Sequence, residues 1–123
     1  MKFDTPHPFP HHRLDAFKVA LELAVLCNQV AADIPRGHRP LADQLLRSSS
    51  AVPLLVAEGA NRLTAAQKRQ RFVEARGECG ETAAAVELAA ALGLVNCHDA
   101  QVALALAGRV GAMLTRLIQR FGA

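Results

Sequence analysis

A chain of 123 residues is long enough for one domain with a real core and too short for two comfortable ones. Hydrophobic residues make up 51% and aromatics only 4%, with no Trp and no Tyr, so strand formers are scarce while the strong helix formers Ala and Leu abound. The formal charge of +3 permits an acidic partner without demanding one, so the distribution of charge matters more than its sum.

Residues 1–13 carry three prolines and three histidines and show no periodicity, which predicts a flexible arm ahead of a bundle domain spanning 14–123. His7, His11 and His12 have no patterned partner that would orient them toward a metal, and they read as a solvated tail. No secretory signal is visible in this arm. No uninterrupted apolar run approaches the ~20 residues of a membrane span. The expected compartment is the cytoplasm, with no membrane partner.

The first helix is predicted from Asp15 to Ile34, with Asp15 in the first turn and Pro35 and Gly37 beyond its end. Phe17, Leu21, Ala24 and Ala31 mark one apolar stripe, and Val19, Leu23, Leu26 and Val30 mark a neighbouring one. The second helix is predicted from Pro40 to Ala60, with Leu41, Leu45, Ser49, Val52 and Val56 at helical spacing. Pro53 falls inside it, so a kink is expected, with the Ser48–Ser50 hydroxyls close enough to satisfy freed carbonyls. No histidine stands in position to activate these serines.

The third helix is predicted from Thr64 to Leu92, opening on a Thr64–Gln67 capping box and stopping at Gly93. Phe72, Ala75, Cys79, Thr82, Val86 and Ala90 form its core stripe. Gly77 and Gly80 each cost about 1 kcal/mol against Ala in a helix, and close approach of a neighbouring helix is the expected offset. The fourth helix is predicted from Cys97 to Phe121, capped by Asn96, with Leu106, Val110, Met113, Leu117 and Phe121 inward. All connections are short, which forces antiparallel neighbours. The fold class is all-α: an up-down-up-down four-helix bundle with a kinked second helix. Cys27, Cys79 and Cys97 have neither disulfide nor metal spacing and read as unpaired, at least partly buried residues.

The charges of the third helix run against its dipole. Arg62, Lys68, Arg69, Arg71 and Arg76 precede Glu78, Glu81 and Glu87, with Glu74 the lone acid in the basic part. Arg109, Arg116 and Arg120 add a basic stripe on the fourth helix. Together these eight residues form a candidate surface for phosphate backbones, without aromatic platforms for base stacking. A solvated face with interhelix ion pairs accounts for the same residues. No paired acids, activated nucleophile, glycine-rich phosphate loop or metal spacing points to catalysis, and no cofactor is implied.

Gln44 to Gly59, and within it Pro53-Leu54-Leu55-Val56-Ala57-Glu58-Gly59, resembles the Q-I-R-R-A-A-x-S-I-P-S-N-I-A-E-G block of the bacterial four-helix bundle family first noticed in intervening sequences of 23S ribosomal RNA genes. Phe72 to Glu78 with Glu81 is similar to that family's F-x-x-x-A-x-G-S-x-x-E stretch, and Leu14 to Phe17 with Ala20 to its opening. Leu55 replaces the family's Asn, Glu78 its Ser, and Ala16-Phe17 a Val-Trp pair. The chain also resembles, within the same superfamily, the accessory variability determinant of diversity-generating retroelements. That resemblance implies a homo-oligomer, a pentamer like other members, with RNA or DNA as a partner and a reverse transcriptase or another protein alongside. A protein interaction scaffold without nucleic acid is the alternative. On the residues themselves, Pro53, Ala57, Glu58 and Gly59 read as a kink, close packing, a partnered carboxylate and a helix stop.

Overall fold

Capping chemistry sets some of the helix bounds in the computed structural model, which describes residues 9–122. Helix α1 spans Asp15–Asp33, α2 Arg39–Asn61, α3 Ala65–Ala91 and α4 Cys97–Arg120. Thr64 accepts from the Gln67 N–H at 3.2 Å and Asn96 from the Asp99 N–H at 2.8 Å, each satisfying a donor that the first helical turn leaves free. Gly93, at φ 71°, turns the chain out of α3, a left-handed geometry that suits glycine. No strand occurs among the described residues.

Each helix packs on its two neighbours in chain order, α4 closes against α1, and the diagonal pairs make no close backbone approach. This is the antiparallel up-down-up-down bundle that short connections require. The core stripe expected for α3 is buried at Phe72, Ala75, Cys79, Thr82 and Val86. In α2, Leu45, Ser49, Val52 and Val56 are buried as the spacing predicts.

Helix α4 departs from the expected face. Its buried residues are Ala100, Ala103, Ala107, Val110 and Leu114, while Leu106, Met113 and Leu117 are half-buried at the flanks. Alanines in the first half of the seam let the helix axes approach, Val110 and Leu114 fill its second half, and Leu106, Met113 and Leu117 cover the edges. By length and composition α4 is also long and apolar enough to cross a membrane, with a window mean hydropathy of 1.3. In the bundle its apolar stripe lies against α1 and α3.

Helix α2 runs unbroken through Pro53, which is itself buried. Ser48 and Ser49 donate to the carbonyls of Leu45 and Leu46, at 3.4 Å each, so they serve the turn before the one the proline disrupts. Gly59 is not the helix stop that the sequence suggests, since α2 continues to Asn61. A Cβ at position 59 would stand 2.6 Å from the Phe72 ring. The glycine is a socket for that ring, which is 1% exposed and also meets Phe121 with centroids 6.0 Å apart.

The part of the expected arm that is described, Pro10–Arg13, forms one 3-10 turn packed against α2 and α1. The remainder of the arm, with His7, lies outside the described residues.

This packing can be tested at two points. Gly59→Ala gains about 1 kcal/mol of helix propensity but overpacks the Phe72 socket, which costs about 1–3 kcal/mol. Urea denaturation should therefore show a lower midpoint for Gly59→Ala and a much lower one for Gly59→Val; a raised midpoint in either would contradict the socket. The second point concerns thiols. Cys27 and Cys79 are buried and free, burial pushes the Cys27 thiol up to about 12, and Cys97 is exposed. Native labelling with a thiol reagent should modify Cys97 alone, the other two reacting only after denaturation.

Candidate nucleic-acid interface

Antiparallel packing brings the first half of α3 beside the second half of α4, the end of α2 and the start of α1. Arg62, Lys68, Arg69, Arg71, Arg76, Arg109, Arg116 and Arg120 thereby share one half of the bundle with Arg13 and Lys18, against Asp15, Glu22, Glu58 and Glu74. The other half holds Asp33, Asp43, Glu78, Glu81, Glu87 and Asp99 against Arg36, Arg39 and Arg47. The lopsided charge of α3 is thus a property of the whole bundle, basic in one half and acidic in the other.

The eight candidate residues do not all have the same work. Arg71 donates through Nη1 to both oxygens of Glu74, at 2.7 and 2.8 Å, and its Nε lies 3.3 Å from Glu58 Oε2. These two carboxylates raise its pKa, Glu74 first, and engage its charge within the subunit. Lys68 donates to the Ala60 carbonyl at 2.8 Å, capping the end of α2 where the helix dipole favours a cation. Its Nζ also stands 5.8 Å from the Phe121 ring centroid.

Arg76 donates through Nε to Thr115 Oγ1 at 2.8 Å, a neutral acceptor that leaves its charge uncompensated. Arg120 lies over Phe121 at 5.5 Å from the centroid. Arg62, Arg69, Arg109 and Arg116 are exposed and make no ion pair among the described residues. The available positive surface is therefore Arg62, Arg69, Arg76, Arg109, Arg116 and Arg120, on α3, α4 and the loop before α3. Lys68 and Arg71 act chiefly as packing residues.

Nothing in the sequence singles out Arg47. It donates to Glu78 at 3.0 and 3.2 Å and also to Glu81, joining the middle of α2 to α3. The hydrogen bond from Arg47 holds the Glu78 carboxyl below its ordinary value. Glu78 and Glu81 are thus engaged, and Glu87 stays exposed on the acidic half. The available signal is weak: an Arg upstream of a proline, with its partners a helix away.

The glycines of α3 face no helix of their own subunit. A Cβ built at Gly77 or Gly80 finds nothing within 4 Å, and the same holds for Gly108 and Gly111 on α4. No helix of the same subunit makes the close approach that these glycines call for. Gly80, Ala83, Ala107, Gly108 and Gly111 instead line an open groove between α3 and α4, which continues past Gly77 and Thr115 toward Ile118. Val73, Leu88 and Val102 are exposed on the same two helices.

No group of three or more His, Cys, Asp and Glu side chains that could hold a metal occurs among the described residues. The family described as 23S rRNA-intervening sequence protein matches residues 12–116. Among solved structures, the chain is similar to a protein of unknown function from the S23 ribosomal protein family of Bacteroides thetaiotaomicron, with a TM-score of 0.80 at 17% identity. That likeness covers 85% of this chain and 98% of the other, and speaks for the fold alone. No curated protein matches the chain. The family match spans nearly the whole bundle, including the Pro53 to Gly59 segment and the Phe72 stretch that packs on it. The chain belongs to the 23S rRNA-intervening sequence protein family and folds as a four-helix bundle.

Proposed function

We propose that this protein is a cytoplasmic homo-oligomeric accessory factor, a pentamer, whose basic half contacts the backbone of RNA or DNA. The observation that carries this reading is the division of charge along the bundle, with uncompensated arginines gathered in one half. Copies arranged side by side in a ring would present these halves together and multiply the local positive field. The open groove between α3 and α4 supports self-assembly, because glycines facing solvent in a helix are costly unless another backbone approaches. Closure at five subunits rests on the family resemblance. A reverse transcriptase acting on the same nucleic acid is the protein partner that the wider superfamily resemblance suggests. The same groove also favours a second reading, an interaction scaffold that binds another protein and no nucleic acid.

Binding is expected to be sequence-tolerant and salt-sensitive. Replacing Arg62, Arg69 and Arg116 by Ala should weaken all sequences alike and reduce the salt slope by about 0.7–0.9 for each phosphate no longer neutralised. Fluorescence binding that detects neither duplex nor single strands at ~50 mM salt, where screening is weaker than at physiological strength, would remove the nucleic-acid reading. Static light scattering should give a mass near five times 13.1 kDa. A monomer at high concentration would remove the oligomer reading.

A further inference from the structure

The turn Pro10–Arg13 is held to the bundle by a hydrogen bond that depends on a proton. Asn61 stands in the last turn of α2, and its Nδ2 donates to the Ala57 carbonyl at 2.8 Å. The same nitrogen lies 2.8 Å from His11 Nδ1. A carboxamide nitrogen has two hydrogens and offers no lone pair, so His11 Nδ1 is the acceptor and its ring is neutral, with the hydrogen on Nε2. Flipping the amide would rescue a protonated His11 only by breaking the bond to Ala57. The neighbouring imidazole is used in the same way: His12 Nδ1 accepts the Phe9 N–H at 3.3 Å.

The rings around His11 close the arrangement. Phe17 of α1 meets it edge-on with centroids 4.6 Å apart, Phe9 stacks at 5.8 Å, and His12 lies at 4.2 Å. The ionisable groups on the elements packed here are His12 and Arg13 on the turn, Asp15, Lys18 and Glu22 on α1, and Glu58 with Arg62 at the end of α2. Glu58 is already paired with Arg71. Among the described residues, a cation at position 11 thus gains no dedicated carboxylate, and it forfeits its hydrogen bond.

We propose that this cluster is a pH-gated latch: the turn Pro10–Arg13 is docked on α1 and α2 while His11 is neutral, and releases when His11 takes up a proton. Burial first, and the nearby His12 second, lower the affinity of docked His11 for a proton. The released turn therefore binds the proton more tightly than the docked one. Docking is at full strength above the ordinary imidazole value of 6.5 and weakens as pH falls through it. Release adds imidazolium charge to the half of the bundle that carries the free arginines. The latch does not depend on the nucleic-acid reading.

The test is solution NMR of the full chain at pH values about one unit above and below the ordinary imidazole value. Nuclear Overhauser effects between the His11 and Phe17 rings should be present at the higher pH and absent at the lower, while amide signals of the four helices stay in place. H11F keeps a flat ring but cannot be protonated, so the effects from position 11 to Phe17 should persist at both. The His11 titration midpoint should lie below that of the denatured chain and move up in N61A. Wild-type effects that survive acidification would overturn the latch. So would a His11 midpoint equal to the denatured one, or H11F effects that disappear on acidification.

Discussion

The packing of α2 against α3 fixes everything else in this molecule. Four interactions run along that seam. The Phe72 ring fills the space that Gly59 leaves open, and beside it Glu58 meets Arg71. Toward the middle, in a fully buried setting, the Thr82 hydroxyl lies 3.0 Å from Ser48 Oγ and 2.8 Å from the Glu78 carbonyl, its single hydrogen serving one of these acceptors at a time. Close by, Arg47 holds Glu78 and Glu81. These interactions differ in kind, so sliding one helix by a turn would oppose a ring to a side chain, bury unpaired hydroxyls and separate charges. A buried polar group without its partner costs about 1–3 kcal/mol. The exposed ion pairs add less, because water and salt screen them. The register is set by the socket and the buried hydroxyls and reinforced by the charges.

Once α2 and α3 are in register, the division of charge follows. Arg76 reaches Thr115 and Cys79 donates to the Ala107 carbonyl at 3.2 Å, which sets α4 against α3 with its C-terminal arginines beside the basic run. A helix dipole favours the opposite order of charge along α3, but each exposed charge forfeits only tenths of a kcal/mol. The seam outweighs that small penalty. The bundle can therefore carry a strongly divided surface with little loss of stability, leaving the arginines free to meet a polyanion.

Most of the fold is legible in local signals. Thr64, Asn96 and Gly93 mark helix ends by groups that bond the backbone or permit a left-handed turn, and such signals need no tertiary context. Packing between helices is harder to read. Gly59 resembles a helix stop, yet its reason is the Phe72 ring on the next helix, which no local pattern announces. On α4 the spacing points Leu106, Met113 and Leu117 inward, whereas close helices put Ala103 and Ala107 at the centre with Val110 and Leu114, and leave Leu106, Met113 and Leu117 at the edges. Gly77 and Gly80 do need a reason for standing in a helix, but no helix of the same subunit supplies one. In the candidate interface the residue types are visible in the sequence, and their partners are not. Arg71 and Arg69 look alike there, and only the fold separates the one between two carboxylates from the one facing solvent. His11 lies in a segment without periodicity, so its bond to Asn61 has no sequence signal.

Whether the basic half of this bundle is the face that meets a polyanion is tested most directly by mapping amide chemical-shift changes as a short single-stranded oligonucleotide is added to the labelled protein. Shifts should be confined to the first half of α3, the second half of α4 and the loop at Arg62, with Glu87 and its surroundings unmoved. Shifts centred on the acidic half, or none across the whole bundle, would contradict that assignment.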